Sequence, residues 1–232
     1  MNQVFGGEYA DCYDPIYEGK DYAAECDLIE RLFEAYGDRS ISSVVDLGCG
    51  TGNHAIQICR RGYEVLGVEQ SEGMLAHARQ KLGLRAANGK LDFIQGDIRS
   101  VDLRRRFGAA LMMFTVLGYQ LENEDVLAAL KTARRHLHSC GLLIFDVWYG
   151  PAVLHQRPGQ LVKVTPSPNG QILRTSSVEL DVNRHRCTVQ YCVWRVENGR
   201  LAAKTEESHA VRYFFPLELH LFLETSGFAQ FD

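Results

Sequence analysis

Apolar and polar positions follow two alternating rhythms through the first 150 residues. At 21–36, Tyr22, Cys26, Ile29, Phe33 and Tyr36 recur at steps of four and three, one stripe of a helix that Gly37 ends. ISSVVDLG at 41–48 is a short apolar run read as a buried strand. NHAIQICRR at 53–61 is helical and closed by Gly62, and YEVLGVE at 63–69 is a second strand. Ser71 stands where a cap is needed and Glu72 suits the first turn of the next helix. Met74, Leu75, Ala78 and Leu82 form that helix's buried stripe, and Gly83 ends it. LDFIQGD and AALMMFTVL repeat the strand pattern. Residues 125–137 repeat the helical one through Val126, Leu127, Leu130, Ala133 and Leu137, and Gly141 leads into LLIFDVW. Apolar strands alternating with helices predict an α/β fold, a doubly wound and mostly parallel sheet covered on both faces.

After Pro151 the period changes to two. Between 161 and 213, strands alternate with turn signals at Asn169-Gly170, at 181–184 and at Asn198-Gly199. The last separates CTVQYCVWRVE from RLAAKTEESHAVRYF and is a strong two-residue hairpin signal. The pattern predicts an antiparallel β-ribbon of three or four strands inserted after the fifth strand. A final helix at 216–225 opens with proline in its first turn and ends before Gly227, and FAQFD begins a strand. The chain therefore divides into a helical lid segment at 1–40, a core at 41–150, the β insertion at 151–213, and a final helix with the start of a sixth strand at 214–232.

The core carries the candidate chemistry. In VVDLGCGTGNH, Gly48, Gly50 and Gly52 alternate with Cys49 and Thr51 between a strand and a helix. Three glycines in five positions are costly in backbone entropy, so a bound molecule must need the backbone to come close. Glu69 ends the next strand 21 residues after Gly48. A glycine loop followed at that distance by an acid is a nucleoside-binding arrangement, in which the carboxylate takes the ribose hydroxyls. Two ligands compete, a dinucleotide such as NAD and S-adenosylmethionine. The dinucleotide fingerprint asks for glycine at 53, where Asn53 stands, and a pyrophosphate would be repelled by Asp46. An ammonium is attracted by the same acid, so Asp46 favours S-adenosylmethionine.

Composition narrows the partners. The 232 residues, 46% of them hydrophobic, can bury the core of one large domain, and a formal charge of −4 gives no global attraction for nucleic acid. No apolar run is long enough for a membrane span, and the acidic N-terminus MNQVFGGEYADCYD is not a signal sequence. Seven cysteines with no CxxC pair suggest neither disulfides nor a metal site, and read as reduced thiols in a cytoplasm.

DLGCGTG, VEQSEGML and QGDI together resemble the cofactor signature of the class I S-adenosylmethionine-dependent methyltransferases, over about residues 9–148. The resemblance implies that Asp46, Gly48, Gly50 and Gly52 line the methionine end of S-adenosyl-L-methionine and that Glu69 binds its ribose. Gln70 and Met74 would lie near the adenine, Asp97 would accept from its amino group, and the Ile98 backbone would face the ring. Phe114 and Thr115 would stand between cofactor and substrate. Each has a plainer reading: Met74 as core, Asp97 as a turn cap, Cys49 as a filler between glycines. The family's sheet has sixth and seventh strands joined as a hairpin, and the chain ends five residues beyond Gly227, so a seventh strand is not expected. A shortened chain, a differently covered edge or a second chain would each account for that, and a binding protein without catalysis and an NAD-dependent oxidoreductase stay open beside the methyltransferase.

The acceptor is read as a small molecule, methylated on nitrogen or oxygen. MFTVLGY lacks the N/D-P-P-Y/F motif of base-amine methylation, and the carboxylates are too few for metal-dependent catechol chemistry. FGGEYADCYDPIYEGKDY resembles the lid of small-metabolite methyltransferases, amino-sugar N-methyltransferases among them. Within it Tyr9, Tyr13 and Tyr17 step by four, Tyr17 toward the cofactor's carboxylate end. Tyr119 stands where sugar-methylating relatives often carry histidine. Methyl transfer needs alignment and exclusion of water, and an amine acceptor must also be neutral. Tyr119, Asp146 and His209 are the catalytic candidates, with Trp148 and Arg212 nearby, although a ribbon histidine is more often structural. The β insertion is expected as a lid, a homodimer contact, or both.

Overall fold

The computed structural model describes residues 4–37, 41–83 and 89–229. Two helices open it, α1 (Gly7–Ile16) and α2 (Tyr22–Tyr36). Asp21 caps α2, its carboxylate accepting from Ala24 N at 2.9 Å. Pro15 lacks an amide donor, and α1 ends at the next residue. The core follows as β1 (Ser43–Leu47), α3 (Asn53–Arg60), β2 (Glu64–Glu69), α4 (Glu72–Gly83), β3 (Leu91–Gln95), β4 (Phe107–Met112), a 3₁₀ turn at Val116–Tyr119, α5 (Asn123–Arg135) and β5 (Leu137–Phe145). The strands lie in the order β3-β2-β1-β4-β5, every neighbouring pair parallel. This is the doubly wound sheet expected.

Alternating side chains explain why both faces are apolar. Val45, Leu47, Ala110 and Met112 pack with Val126, Ala129, Leu130 and Ala133 of α5. Val44, Ala109 and Leu111 point the other way, onto Cys26, Ile29 and Phe33 of α2 and Ala55 and Ile58 of α3. Leu137, expected in the helical stripe, instead starts β5, because α5 is stopped at the buried His136 ring. Nδ1 of that ring donates to Thr132 O at 2.8 Å and Nε2 accepts from Leu103 N at 2.9 Å.

The remaining elements are β6 (Trp148–Tyr149), α6 (Gly150–Gln156), β7 (Leu161–Ser167), β8 (Gly170–Asp181), β9 (Arg186–Glu197), β10 (Arg200–Phe214) and α7 (Pro216–Thr225). They build a second sheet in the order β6-β10-β9-β8-β7, antiparallel except for β6 beside β10. The β9–β10 turn has Asn198 at φ 50° and Gly199 at φ 73°, the left-handed pair that a two-residue hairpin requires. The short helix α6 was not part of the expected pattern. Among the described residues no strand pairs with the outer edge of β5. Of the strand expected in FAQFD, Phe228 and Ala229 are not in a strand, and 230–232 lie outside the described residues. No described helix is long and apolar enough to cross a membrane.

Helix α1 lies between α4 and the inserted sheet, where Tyr9, Tyr13 and Ile16 pack with Met74, Ile172 and Val193. Asp14 fastens it to the glycine loop, accepting from Thr51 Oγ1 at 2.6 Å, Asn53 Nδ2 at 3.0 Å and Lys81 Nζ at 2.8 Å. Burial opposes ionisation of Asp14, but these donors outweigh it and hold the carboxyl below its usual range. Asp14→Ala is expected to leave the core folded and to make α1 the first site of limited proteolysis. Unchanged cleavage kinetics there would show that apolar packing alone holds the helix.

Candidate active site

The C-terminal ends of β1, β2 and β4, α1 and the inner face of the second sheet enclose a cavity of about 1020 Å³. Its floor is the glycine loop. Gly48, Gly50 and Gly52 have φ of 77°, 56° and 78°, conformations that residues with a Cβ rarely adopt. A Cβ on Gly48 would come within 2.6 Å of Val116 Cγ1, whereas one on Gly50 would meet only Met74 Cε, at 3.5 Å. Gly50 therefore keeps its wall of the cavity flat. Gly52 does not line the cavity. It precedes α3, and a Cβ there would lie 2.6 Å from Phe93 Cζ, so its glycine serves the packing of helix on sheet.

Two acids face each other across this loop. Glu69, at the end of β2, accepts from Gly50 N at 2.9 Å and from Ser71 N at 2.8 Å. Burial raises its pKa against the opposing pull of those amides. Asp46 ends β1 with 1% of its surface exposed, and its Oδ2 has no hydrogen-bond partner. Burial lifts its pKa from 3.8 to about 6, with His54 lowering it and Glu69 raising it. A buried carboxylate oxygen without a donor is destabilising by itself. It fits a ligand that brings a cation, as S-adenosylmethionine does with its ammonium and sulfonium. Asp46 and Glu69 are thus the residues that would hold the cofactor's methionine and ribose ends.

The other residues expected around the cofactor that line the same cavity are Tyr17, Gly48, Gly50, Gln70, Met74, Asp97, Ile98, Phe114 and Thr115. Asp97 is not free. Arg99 donates to it from Nε at 3.0 Å and from a terminal nitrogen at 2.6 Å, and also pairs with Asp125 at 2.9 Å. An adenine amino group would have to share that carboxylate. Tyr17 Oη accepts from Arg174 at 2.9 Å, and its ring meets Phe114 edge-on at 5.1 Å.

On the other side of the cavity Tyr119 Oη and His209 Nδ1 lie 3.0 Å apart, and His209 Nε2 lies 2.7 Å from Glu207 Oε2. An ionised carboxylate only accepts, so Nε2 carries a proton toward Glu207, and in the uncharged form of the ring Nδ1 is then the acceptor for the tyrosine hydroxyl. His209 is 1% exposed and is ringed by Phe5, Tyr9, Tyr119 and Tyr191 at centroid distances from 4.8 to 5.9 Å. Burial raises the Tyr119 hydroxyl well above its usual pKa.

Asp146 is the correction among the catalytic candidates, since it does not line the cavity. Its carboxylate accepts from the amide of Phe114, from Thr115 N at 2.8 Å and from Thr115 Oγ1 at 3.3 Å. Those bonds hold a turn in which Phe114 and Thr115 stand at φ 65° and 64°, a pair of left-handed residues of the kind that costs about 1–3 kcal/mol each. Asp146 shapes the wall. Trp148 lines the cavity, whereas Arg212 is buried against Glu218 away from it. Glu207 was missed. In TEESH it reads as part of a solvated charge run, yet the strand's alternation sends Glu206 to solvent and Glu207 inward, beside Tyr191.

If Asp46 holds the ligand's ammonium, binding follows the ionisation of Asp46. The ionised acid attracts the ligand's ammonium, so binding takes a proton off Asp46 below pH 6. Affinity for S-adenosylmethionine should then be flat above that pH and fall about tenfold per unit below it. Titration calorimetry over pH 4.5 to 8, read with Asp46→Asn, checks this. The variant should bind at least about tenfold more weakly and lose the pH dependence, and a wild-type affinity unmoved by pH would remove Asp46 from the site.

The family described as "Methyltransferase domain" matches residues 44–141, the stretch holding the glycine loop and both acids. The chain is 36% identical over 146 residues to a dTDP-3-amino-3,4,6-trideoxy-alpha-D-glucopyranose N,N-dimethyltransferase of Streptomyces venezuelae, a match covering 62% of this chain and 59% of that protein's length. It is 29% identical over 213 residues to a dTDP-3-amino-3,6-dideoxy-alpha-D-glucopyranose N,N-dimethyltransferase of Streptomyces fradiae, covering 90% and 79%. The crystal structure of Streptomyces venezuelae DesVI superposes with a TM-score of 0.83 at 26% identity, over 96% of this chain and 91% of that one. On these matches in sequence and in fold, the chain belongs to the class I S-adenosylmethionine-dependent methyltransferases.

Proposed function

We propose that this protein transfers a methyl group from S-adenosylmethionine to an amino nitrogen of a small acceptor, a nucleotide-linked amino sugar. The observation that carries the nitrogen is the Tyr119–His209 pair at the cavity wall. An alcohol acceptor and an amine acceptor both have a proton to lose, but an amine must also arrive neutral and sheds one after each transfer. The sugar class comes from the two relatives named above, both N,N-dimethyltransferases of dTDP-linked amino sugars.

The cofactor supplies an electrophilic methyl carbon on a sulfonium, and that bond breaks with its electron pair going to sulfur as nitrogen binds carbon. The chain's residues do the rest. Asp46 and Glu69 orient the donor, and Met74, Phe114 and Thr115 wall it from water. Tyr119 receives a proton from the methylated nitrogen while passing its own to His209 Nδ1. Glu207 balances the imidazolium. Tyr17 and the α1 tyrosines before it serve as a lid, and the inserted sheet covers the acceptor. In keeping with seven free cysteines, the proposed activity is cytoplasmic. The reading extends to a homodimer through the insertion, where the edge strand β7 exposes Leu161, Val162 and Val164.

The test is incubation with S-adenosylmethionine and a panel of dTDP-linked 3- and 4-amino sugars beside their hydroxyl counterparts, read by mass spectrometry. Methylation of the amino compounds alone is expected. Methylation of the hydroxyl compounds instead would overturn the nitrogen. Tyr119→Phe and His209→Gln should each lower kcat about a hundredfold while leaving cofactor affinity within a factor of about three. Sedimentation should give a dimer that Val162→Lys dissociates, and a monomeric wild type would remove the β7 contact.

A further inference from the structure

Glu207 does more than face His209. Its Oε1 accepts from Gly6 N at 2.7 Å, and its Oε2 accepts from Phe5 N at 2.9 Å as well as from the histidine. The side chain is 8% exposed, so these three donors are what stabilise its charge. Phe5 and Gly6 are the residues that lead into α1. Gly6 leaves little room for anything larger, since a Cβ there would lie 3.2 Å from Glu207 Oε1. Phe5 is held at φ 61°, and its ring caps His209 edge-on at 4.8 Å.

The same residue reaches the cofactor side. Phe5 O accepts from Ser71 Oγ at 2.8 Å, and Ser71 N donates to Glu69 at 2.8 Å. One unbroken run of hydrogen bonds therefore leads from Gly50 through Glu69, Ser71, Phe5, Glu207 and His209 to Tyr119. It joins the two halves of the cavity across residues 5 and 6, a stretch of the entry to α1 that no sheet bond holds. We propose that Glu207 is a positioning residue that fixes the proton-accepting tautomer of His209 and, through the amides of Phe5 and Gly6, latches the entry of α1 over the cofactor, so that cofactor occupancy and the Tyr119–His209 relay are set together.

With the latch closed, the ring nitrogens of His209 are taken by Tyr119 and Glu207, and the ionisable groups around it are these two with Tyr9, Tyr191 and, behind those tyrosines, Arg174. Phe5, Tyr9, Tyr119, Tyr191 and His209 all line the cavity as well, which is where the relay would meet an acceptor. The catalytic part of this inference rests on the proposed methylation. The structural part does not.

The experiment uses the full chain saturated with S-adenosylhomocysteine, histidine-labelled with nitrogen-15, and the variants Glu207→Gln, Glu207→Asp and Ser71→Ala. In the wild type the His209 ring should show the neutral Nε2–H form, assigned by its absence in His209→Gln. Amide exchange at Phe5 and Gly6 should slow at least about tenfold when the ligand binds. Glu207→Gln should abolish both signatures, Ser71→Ala should lose the ligand-induced slowing alone, and Glu207→Asp, too short for all three donors, should fall between. With an acceptor in hand, Glu207→Gln should lower kcat more than it raises KM and shift the acidic limb of the kcat profile. An Nδ1–H tautomer in the wild type, or exchange at 5 and 6 indifferent to ligand and to Glu207→Gln, overturns the latch. Intact signatures in a protein that methylates no amine would overturn the proposed acceptor and leave the latch standing.

Discussion

The cavity depends on one buried carboxylate bonding to a backbone that has no side chains in the way. Glu69 takes the amide of Gly50 from the loop after β1 and the amide of Ser71 from the start of α4, and so ties two crossovers of the sheet at their common end. The loop can reach it because Gly48 and Gly50 turn in a left-handed conformation. Any Cβ at Gly48 would drive into Val116 and through it into the Phe114–Thr115 turn. That turn is in turn held by Asp146 from the end of β5. Floor and wall are therefore one connected object spanning β1, β2, β4 and β5.

Electrostatics gives that object its selectivity. Burial raises the pKa of both Asp46 and Glu69, and the charge of Glu69 makes Asp46 harder still to ionise. The protein leaves Asp46 Oδ2 without a donor. A polyanionic pyrophosphate would add a third negative charge to this corner, whereas an ammonium or sulfonium relieves it. The same energetic logic recurs at Glu207, where three donors surround one charge. There the donors come from the chain itself, two of them from the entry to α1.

The inserted sheet explains how a histidine far along the chain meets a tyrosine from the core. Residues 207, 209 and 211 of β10 share one face because strand side chains alternate, and that face lies against α1 and the 3₁₀ turn carrying Tyr119. The long strand β10 then runs on into the core, where Phe214 is fully buried beside Phe222 and Leu223 of α7. The insertion is thus anchored where β10 enters the core, and β6, at its other end, pairs with that same part of β10.

Local physics was enough to read much of this protein from its residues. Buried strands, helix stripes, the Ser71 cap and the Asn198-Gly199 hairpin each follow from a few neighbouring positions, and so does the candidate loop in which Asp46, Gly48, Gly50 and Glu69 were singled out. What the sequence could not decide depended on contacts between distant elements. Gly52 belongs to packing because Phe93 of β3 lies over it, and Asp97 is shared because Arg99 folds back on it. Asp146 turns to the backbone of a distant loop, and Leu137 leaves the helix because His136 is bonded to Leu103. Glu207 looked solvated beside Glu206, and only the docking of α1 against one face of β10 distinguishes the two. A carboxylate's role depends on which donors surround it, and those donors are brought together only when the chain folds.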